Sequence, residues 1–396
     1  MEQKPIREQI GRVRLHGPGP SDVPDSVLEA LSSRTIGHLD PDFLRVMDQT
    51  QEMLRAVFQT RNRMTIPVSG TGSSGMEALV ANLVEPGDRV VVVRNGVFGG
   101  RIADEVSRFG GEAVEIEVGW GRTVQLDQVR QALSGASCQA LFLVHAETST
   151  GALQPQMKEI TQLVREHDAL FLVDTVTSLG GTEVKVDEWG IDAAYSGTQK
   201  CLSVPPGLSP ITLNERAMEK VRNRRSPVQS WYFDLTMIEE YWNEGGARKY
   251  HHTAPVNMIF SLHEALRLIL NEGLDAVFER HRRNAAALQA GLEALGFRYI
   301  VEEPEQRLPM LHAVFLPEGA DETSLRKELR AESDLEIGGG LGQFAGRAWR
   351  VGLMGHSCRQ EKVHALLRDV GSVLRKHGFI EDADVGVEAA RSARSG

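Results

Sequence analysis

The chain has 396 residues, of which 41% are hydrophobic and 25% charged, and its formal net charge is −10. That balance describes an ordinary globular protein, and an acidic chain gains no counterion release from a phosphate backbone, which excludes nucleic acid as the expected partner. Cys138, Cys201 and Cys358 are too few and too scattered for a disulfide framework, and they point to a reducing compartment. No uncharged apolar run is long enough to span a bilayer, so no membrane partner is expected. The opening MEQKPIREQIGRVRLHGPGP carries charges throughout and does not read as a signal peptide. The last residues hold no peroxisomal address, and the expected location is the cytoplasm. Single domains stop growing at roughly 250–300 residues, so two domains are expected.

In chain order, the first strong pattern is an apolar run, MTIPV (64–68), followed by SGTGSSGMEAL from Ser69 and a helical pattern, MEALVANLV. RVVVV (89–93), ALFLV (140–144) and a second ALFLV (169–173) read as strands buried on both faces, because such strands are continuous apolar runs. Helical patterns separate them: GGRIADEVSRFG, LDQVRQALSG and QMKEITQLVREHD. This alternation predicts an α/β fold with a mostly parallel sheet between helices. From residue 261 the character changes to a long helical region, then LPMLHAVFLPEG, a helix ETSLRKELRAE, a glycine-rich loop and RAWRVGLMG. We expect an N-terminal arm over 1–15, a large domain over 16–271 and a smaller C-terminal α/β domain over 272–380. A flexible tail is expected over 381–396, where EDADVGVEAARSARSG is polar and rich in small residues.

Three motifs carry candidate chemistry. Glycine and hydroxyl residues at a helix N-terminus offer free N–H groups and a favourable dipole to an anion, so Thr71, Gly72 and Ser73 form the expected phosphate cradle. Gly70, Gly72 and Gly75 also satisfy G-x-G-x-x-G, the dinucleotide fingerprint. That fingerprint calls for an acidic residue at the end of the next strand, where this chain has Arg94 and Asn95. An arginine suits a phosphorylated dinucleotide, so an NADP-dependent dehydrogenase stays open at this point. Asp174 ends a buried strand, either as a helix N-cap or as an anion for a protonated heterocyclic nitrogen. Lys200 follows 26 residues later, after one more strand, DAAYSG. A lone lysine at a strand end is ordinary surface charge. Strand ends of a parallel sheet collect on one edge, however, where ligands bind, so cradle, carboxylate and amine converge there. Together they match what pyridoxal phosphate needs: a phosphate site, a partner for the pyridine nitrogen, and a lysine for the Schiff base.

With these residues in place, the chain resembles a class V, fold-type I pyridoxal-phosphate aminotransferase, nearest to the alanine–glyoxylate (serine–pyruvate) type. The shared stretches run from GPGPS at Gly17 through VFQTRN, SGTGSSGMEAL, VEPGD, STGALQP, VDTVTSLGGT, YSGTQK, PPG, YHHTAPV and GGGLG to RVGLMG at Arg350. The resemblance implies a fold-type I transferase with Lys200 as the Schiff-base lysine and Asp174 on the pyridine nitrogen. It implies Thr71, Gly72, Ser73 and Gln199 around the phosphate, and Phe98 stacked on the ring, where the family's expected residue is tryptophan. Phenylalanine keeps the π-face without the indole N–H. The resemblance also puts Ser149 beside the ring or its 3′-oxygen, and Tyr250 and Thr253 on the phosphate of the neighbouring subunit, making a homodimer with shared sites. Arg350 then grips the substrate carboxylate, which its planar fork suits. Each has a plainer reading: a turn residue for Ser149, interface packing for Tyr250, a strand residue for Arg350.

The activity so implied is ping-pong transamination from alanine or serine to glyoxylate or pyruvate. Relatives acting on pyridoxamine, ureidoglycine or aminoethylphosphonate are the alternatives. Cysteine desulfurases need a nucleophilic cysteine before the arginine, and the loop GGGLGQFAGRAW has none. A non-catalytic sensor of the cofactor would need a DNA-binding segment, and none is evident.

Overall fold

The computed structural model describes residues 4–243 and 248–393; residues 1–3 of the expected arm and 394–396 of the expected tail lie outside the described residues. Seven strands form the central sheet in the order Met64–Ser69, Leu208–Leu213, Ala193–Tyr195, Leu170–Asp174, Ala140–Val144, Arg89–Arg94 and Glu112–Glu117. Leu208–Leu213 is antiparallel to both neighbours, and every other pairing is parallel. The valines of RVVVV and all of Ala140–Val144 are buried, as strands covered on both faces must be. The register pairs Val144 with Asp174 and Asp174 with Tyr195, so three strand ends finish level on one edge.

Local chemistry sets the helix boundaries. Asp40 accepts from the amide of Asp42 and Pro41 takes the first turn of Pro41–Phe58, a position that needs no N–H. The long helix Val256–Glu272 ends at Gly273, where φ is +86°, and Leu274–Ala294 departs in a new direction. A second, four-stranded antiparallel sheet lies in the C-terminal part, ordered Arg298–Tyr299, Leu311–Phe315, Ala348–Gly352 and Gly338–Gly339. The hydrophobic cluster there contains Leu288, Trp349, Val351 and Leu366, separate from the cluster around the central sheet. Arg14–Leu15, the end of the expected arm, pairs in parallel with Leu335–Glu336 as a separate two-stranded sheet. From there it runs toward Lys200: the Gly352 amide donates to His16 O (2.7 Å), and the Ser21 amide to Gln199 O (2.9 Å). No helix among the described residues is long and apolar enough to cross a membrane.

The expected flexible tail is corrected by the structure. Residues Val385–Ser392 form a helix with Gly386, Val387 and Ala390 buried. Its small residues serve close approach to Leu274–Ala294: a Cβ on Gly291 would lie 2.8 Å from Gly386 O, and one on Gly386 would lie 2.8 Å from Leu295. A short stretch of small residues reads as disorder until the surface it packs against is known. Val387→Asp places a charge in that contact and is expected to cost on the order of 2–4 kcal/mol, read as a lower urea midpoint. A midpoint unchanged from the parent would mean the helix is not docked.

Candidate active site

The first wall of the site is the turn after Met64–Ser69. Gly70 (φ +123°) reverses the chain, and Thr71 leads into the helix Gly72–Leu83. The three glycines of the G-x-G-x-x-G spacing have separate packing reasons. Gly70 supplies the turn; a Cβ on Gly72 would sit 3.0 Å from Val176; and one on Gly75 would sit 2.9 Å from the Cβ of Tyr195. The dinucleotide reading loses its arginine: Arg94 is paired with Glu115 (2.7 Å) and Glu117 (2.8 Å) on the neighbouring strand.

Thr71, Gly72 and Ser73 open onto a cavity of about 180 Å³, which Phe98, Asp174, Gln199 and Lys200 also line. Asp174 is buried; its Oδ1 accepts from the Val176 amide (2.8 Å) and its Oδ2 from the Tyr195 hydroxyl (2.5 Å). Burial pushes the carboxyl up to about 7 against the pull of these two hydrogen bonds, and Glu147 adds to the rise. Burial pushes the Lys200 amine down to about 8, with help from the Arg350 charge. The amine donates to Pro18 O, and Gly19 (φ +108°) is confined because a Cβ there would lie 2.7 Å from Lys200 Nζ. Gln199 Oε1 is buried without a hydrogen-bond partner, a polar end open to a ligand.

The remaining expected residues divide. Ser149 does not line the cavity: its Oγ donates to Glu147 Oε1 (2.6 Å) and accepts from the Val97 amide (2.9 Å). Its neighbour Thr148 lines the cavity. Arg350 stands on Ala348–Gly352, largely buried, with Nε donating to Gly339 O (2.7 Å). Its two terminal nitrogens have no hydrogen-bond partner among the described residues. Burial lowers it to about 10. Tyr250 is 60% exposed beside the His38 ring, Thr253 is exposed, and neither lines this chain's cavity.

Glu147 was not anticipated. It is buried and accepts from the amides of Phe98 (3.1 Å), Gly99 (3.4 Å) and Ser149 (3.0 Å), besides the Ser149 hydroxyl. The signal was present: like Asp174, it is a carboxylate just beyond a buried strand. Arg101 also faces the cavity, its guanidinium 4.9 Å from the centre of the Phe98 ring.

A helix-terminal anion cradle, a buried carboxylate, a lysine of lowered basicity and an amide lacking a partner fit pyridoxal phosphate at the carboxyl edge of the sheet. The architecture is that of the fold-type I pyridoxal-phosphate enzymes. The sequence signature described as "Aminotransferase class-V" matches residues 15–344. An (S)-ureidoglycine–glyoxylate transaminase of Bacillus subtilis is 39% identical, covering 96% of this chain and 93% of that protein. An alanine–glyoxylate aminotransferase of Drosophila melanogaster is 39% identical over 89% of this chain and 90% of its own length. The crystal structure of an alanine–glyoxylate aminotransferase from Nostoc sp. superposes with a TM-score of 0.91 at 46% identity, covering 95% of this chain and 98% of that one. The chain belongs to the class-V aminotransferases, a pyridoxal-phosphate-dependent family.

A lysine depressed on folding binds fewer protons than its unfolded counterpart between about 8 and its ordinary 10.5. Stability of the cofactor-free protein therefore rises with pH through that window. Lys200→Met removes the group and is expected to flatten the rise in urea midpoint. Equal slopes in parent and variant would show that Lys200 is not the depressed amine.

Proposed function

We propose that the protein moves an amino group from alanine or serine to glyoxylate or pyruvate, with pyridoxal phosphate held on Lys200. The observation that carries this reading is the meeting of Lys200, Asp174 and the Thr71–Ser73 cradle in one cavity, with the largely buried Arg350 charge bearing on the lysine. When bound, the cofactor supplies an aldehyde for the substrate amine and a ring that accepts electron density.

The residues divide the remaining work. Amides of the Thr71–Ser73 turn, with Gln199, would bind the phosphate; Phe98 would face the ring, with Ser149 and its neighbour Thr148 beside it. Asp174 holds a proton at the ring nitrogen, which requires it to be a carboxylate. Lys200 would carry the proton away from the substrate Cα and return it in the reverse half. Its lowered basicity serves both directions near neutral pH. Arg350 offers its terminal nitrogens to the substrate carboxylate. The first keto acid leaves before the second 2-oxo acid arrives, so one binding site serves both.

A homodimer with shared sites completes the proposal: Tyr250 and Thr253 serve the cradle of the neighbouring subunit. Support comes from the exposure of aromatic residues around them, with Tyr250 at 60% and Trp231 at 59%. Three buried, unpaired cysteines support a cytoplasmic setting. Ureidoglycine as donor is the second reading, favoured by the Bacillus subtilis relative that carries that name.

The test is a panel of amino donors against glyoxylate and pyruvate. The purified protein with cofactor is expected to show a visible band that Lys200→Ala abolishes and that alanine or serine converts. If no donor converts the band, the aminotransferase assignment fails; conversion by ureidoglycine alone selects the second reading. Arg350→Lys should raise KM for the carboxylate substrates about tenfold or more, since an ammonium cannot make the paired contact. For the dimer, mixing inactive Lys200→Ala and Tyr250→Ala chains should restore part of the activity. No recovery after confirmed subunit exchange would argue for self-contained sites.

A further inference from the structure

Asp174 is the group whose charge the proposed chemistry depends on, and two buried neighbours act on it. Tyr195 ends the adjacent strand as the Cα partner of Asp174, and its hydroxyl donates to Oδ2 at 2.5 Å. The ring is fixed: it meets Phe142 edge-on at 6.1 Å, and Gly75 is a glycine because a Cβ there would lie 2.9 Å from Tyr195 Cβ. The phenol therefore has one place to put its proton, and it is on Asp174.

Glu147 lies three residues beyond Val144, the Cα partner of Asp174 on its other side. All four of its hydrogen bonds come from donors. Three are backbone amides; the fourth is the Ser149 hydroxyl, whose oxygen also accepts from the Val97 amide. A Cβ on Gly96 would lie 2.5 Å from the Glu147 side chain, so the pocket is closed on that side too. These four donors favour the carboxylate form of Glu147, while burial holds its carboxyl above the ordinary value. The charged groups around the pair are few. Lys200, in the loop after Ala193–Tyr195, faces Asp174; Glu105, on Val97–Arg108, faces Tyr195; and Arg350, from the C-terminal four-stranded sheet, faces Lys200 and Glu147.

We propose that Tyr195 and Glu147 are positioning residues that act on Asp174 in opposition. The phenol donates to Oδ2 and favours the carboxylate, while the buried negative charge of Glu147 favours the neutral acid. Burial pushes Asp174 up to about 7, the Tyr195 hydrogen bond lowers it, and Glu147 raises it, so the balance sits at working pH. The consequence for turnover rests on the pyridoxal-phosphate reading: only the carboxylate retains a proton on the ring nitrogen.

The experiment is an infrared titration of the full-length chain without cofactor, following the carboxylic-acid stretch that Asp174→Asn removes. Tyr195→Phe is expected to move the midpoint up by about one pH unit, and Glu147→Gln down by about one. With cofactor bound, the acid limb of turnover should move in the same two directions. A merely structural role loosens packing in both variants and gives no opposed shifts. Midpoints that move together, or that stay with the parent, overturn the proposal. Should Glu147→Gln fail to fold, Tyr195→Phe decides alone, and an unmoved midpoint overturns it. The titration needs no cofactor, so it stays readable if the parent shows no lysine-dependent band, a result that would sink the aminotransferase reading instead.

Discussion

The parallel register of the strands ending at Val144, Asp174 and Tyr195 is the constraint on which the site depends. In a parallel ladder the carboxyl ends of neighbouring strands finish on the same edge, so side chains far apart in sequence arrive level. That is how the Tyr195 hydroxyl comes to Asp174 at 2.5 Å, 21 residues away. A slip of one residue in any of these strands would turn its terminal side chain to the opposite face. A carboxyl group as deeply buried as Asp174 persists only when donors offset its lost hydration, and the register supplies them.

Close approach is the second theme. Gly72, Gly75 and Gly96 each stand where a Cβ would strike a side chain of the segment opposite, so those side chains pack directly on backbone around the cavity. The G-x-G-x-x-G spacing thus arises here from a turn, a cavity wall and helix–sheet packing. Glu147 shows the same economy at the N-terminus of Val97–Arg108, where it takes up free amides and fixes the wall that bears Phe98.

The site draws on the central sheet, on the C-terminal four-stranded sheet and on the N-terminal segment. The stretch from Arg14 to Ser21 begins as a strand paired with Leu335–Glu336 and ends on the backbone of Lys200, with Pro18 O on the lysine amine. Arg350 enters from the C-terminal sheet, and its charge helps depress Lys200.

By itself the sequence determined the alternating buried strands, the glycine-rich turn at Thr71–Ser73, the placing of Asp174 at a strand end and that of Lys200 just past the next strand. These are written in local periodicity and turn chemistry, which few neighbours can override. Only the tertiary structure decided that Thr148 rather than Ser149 faces the cavity, because side-chain direction after a strand follows from the turn and from the donors that capture it. The same holds for Glu147 as an internal carboxylate, Arg94 as a strand-to-strand ion pair, and Val385–Ser392 as a docked helix. In each case the partner lies elsewhere in the chain. A residue's local pattern gives its backbone conformation, whereas its role depends on which distant groups the fold brings within hydrogen-bond or packing distance.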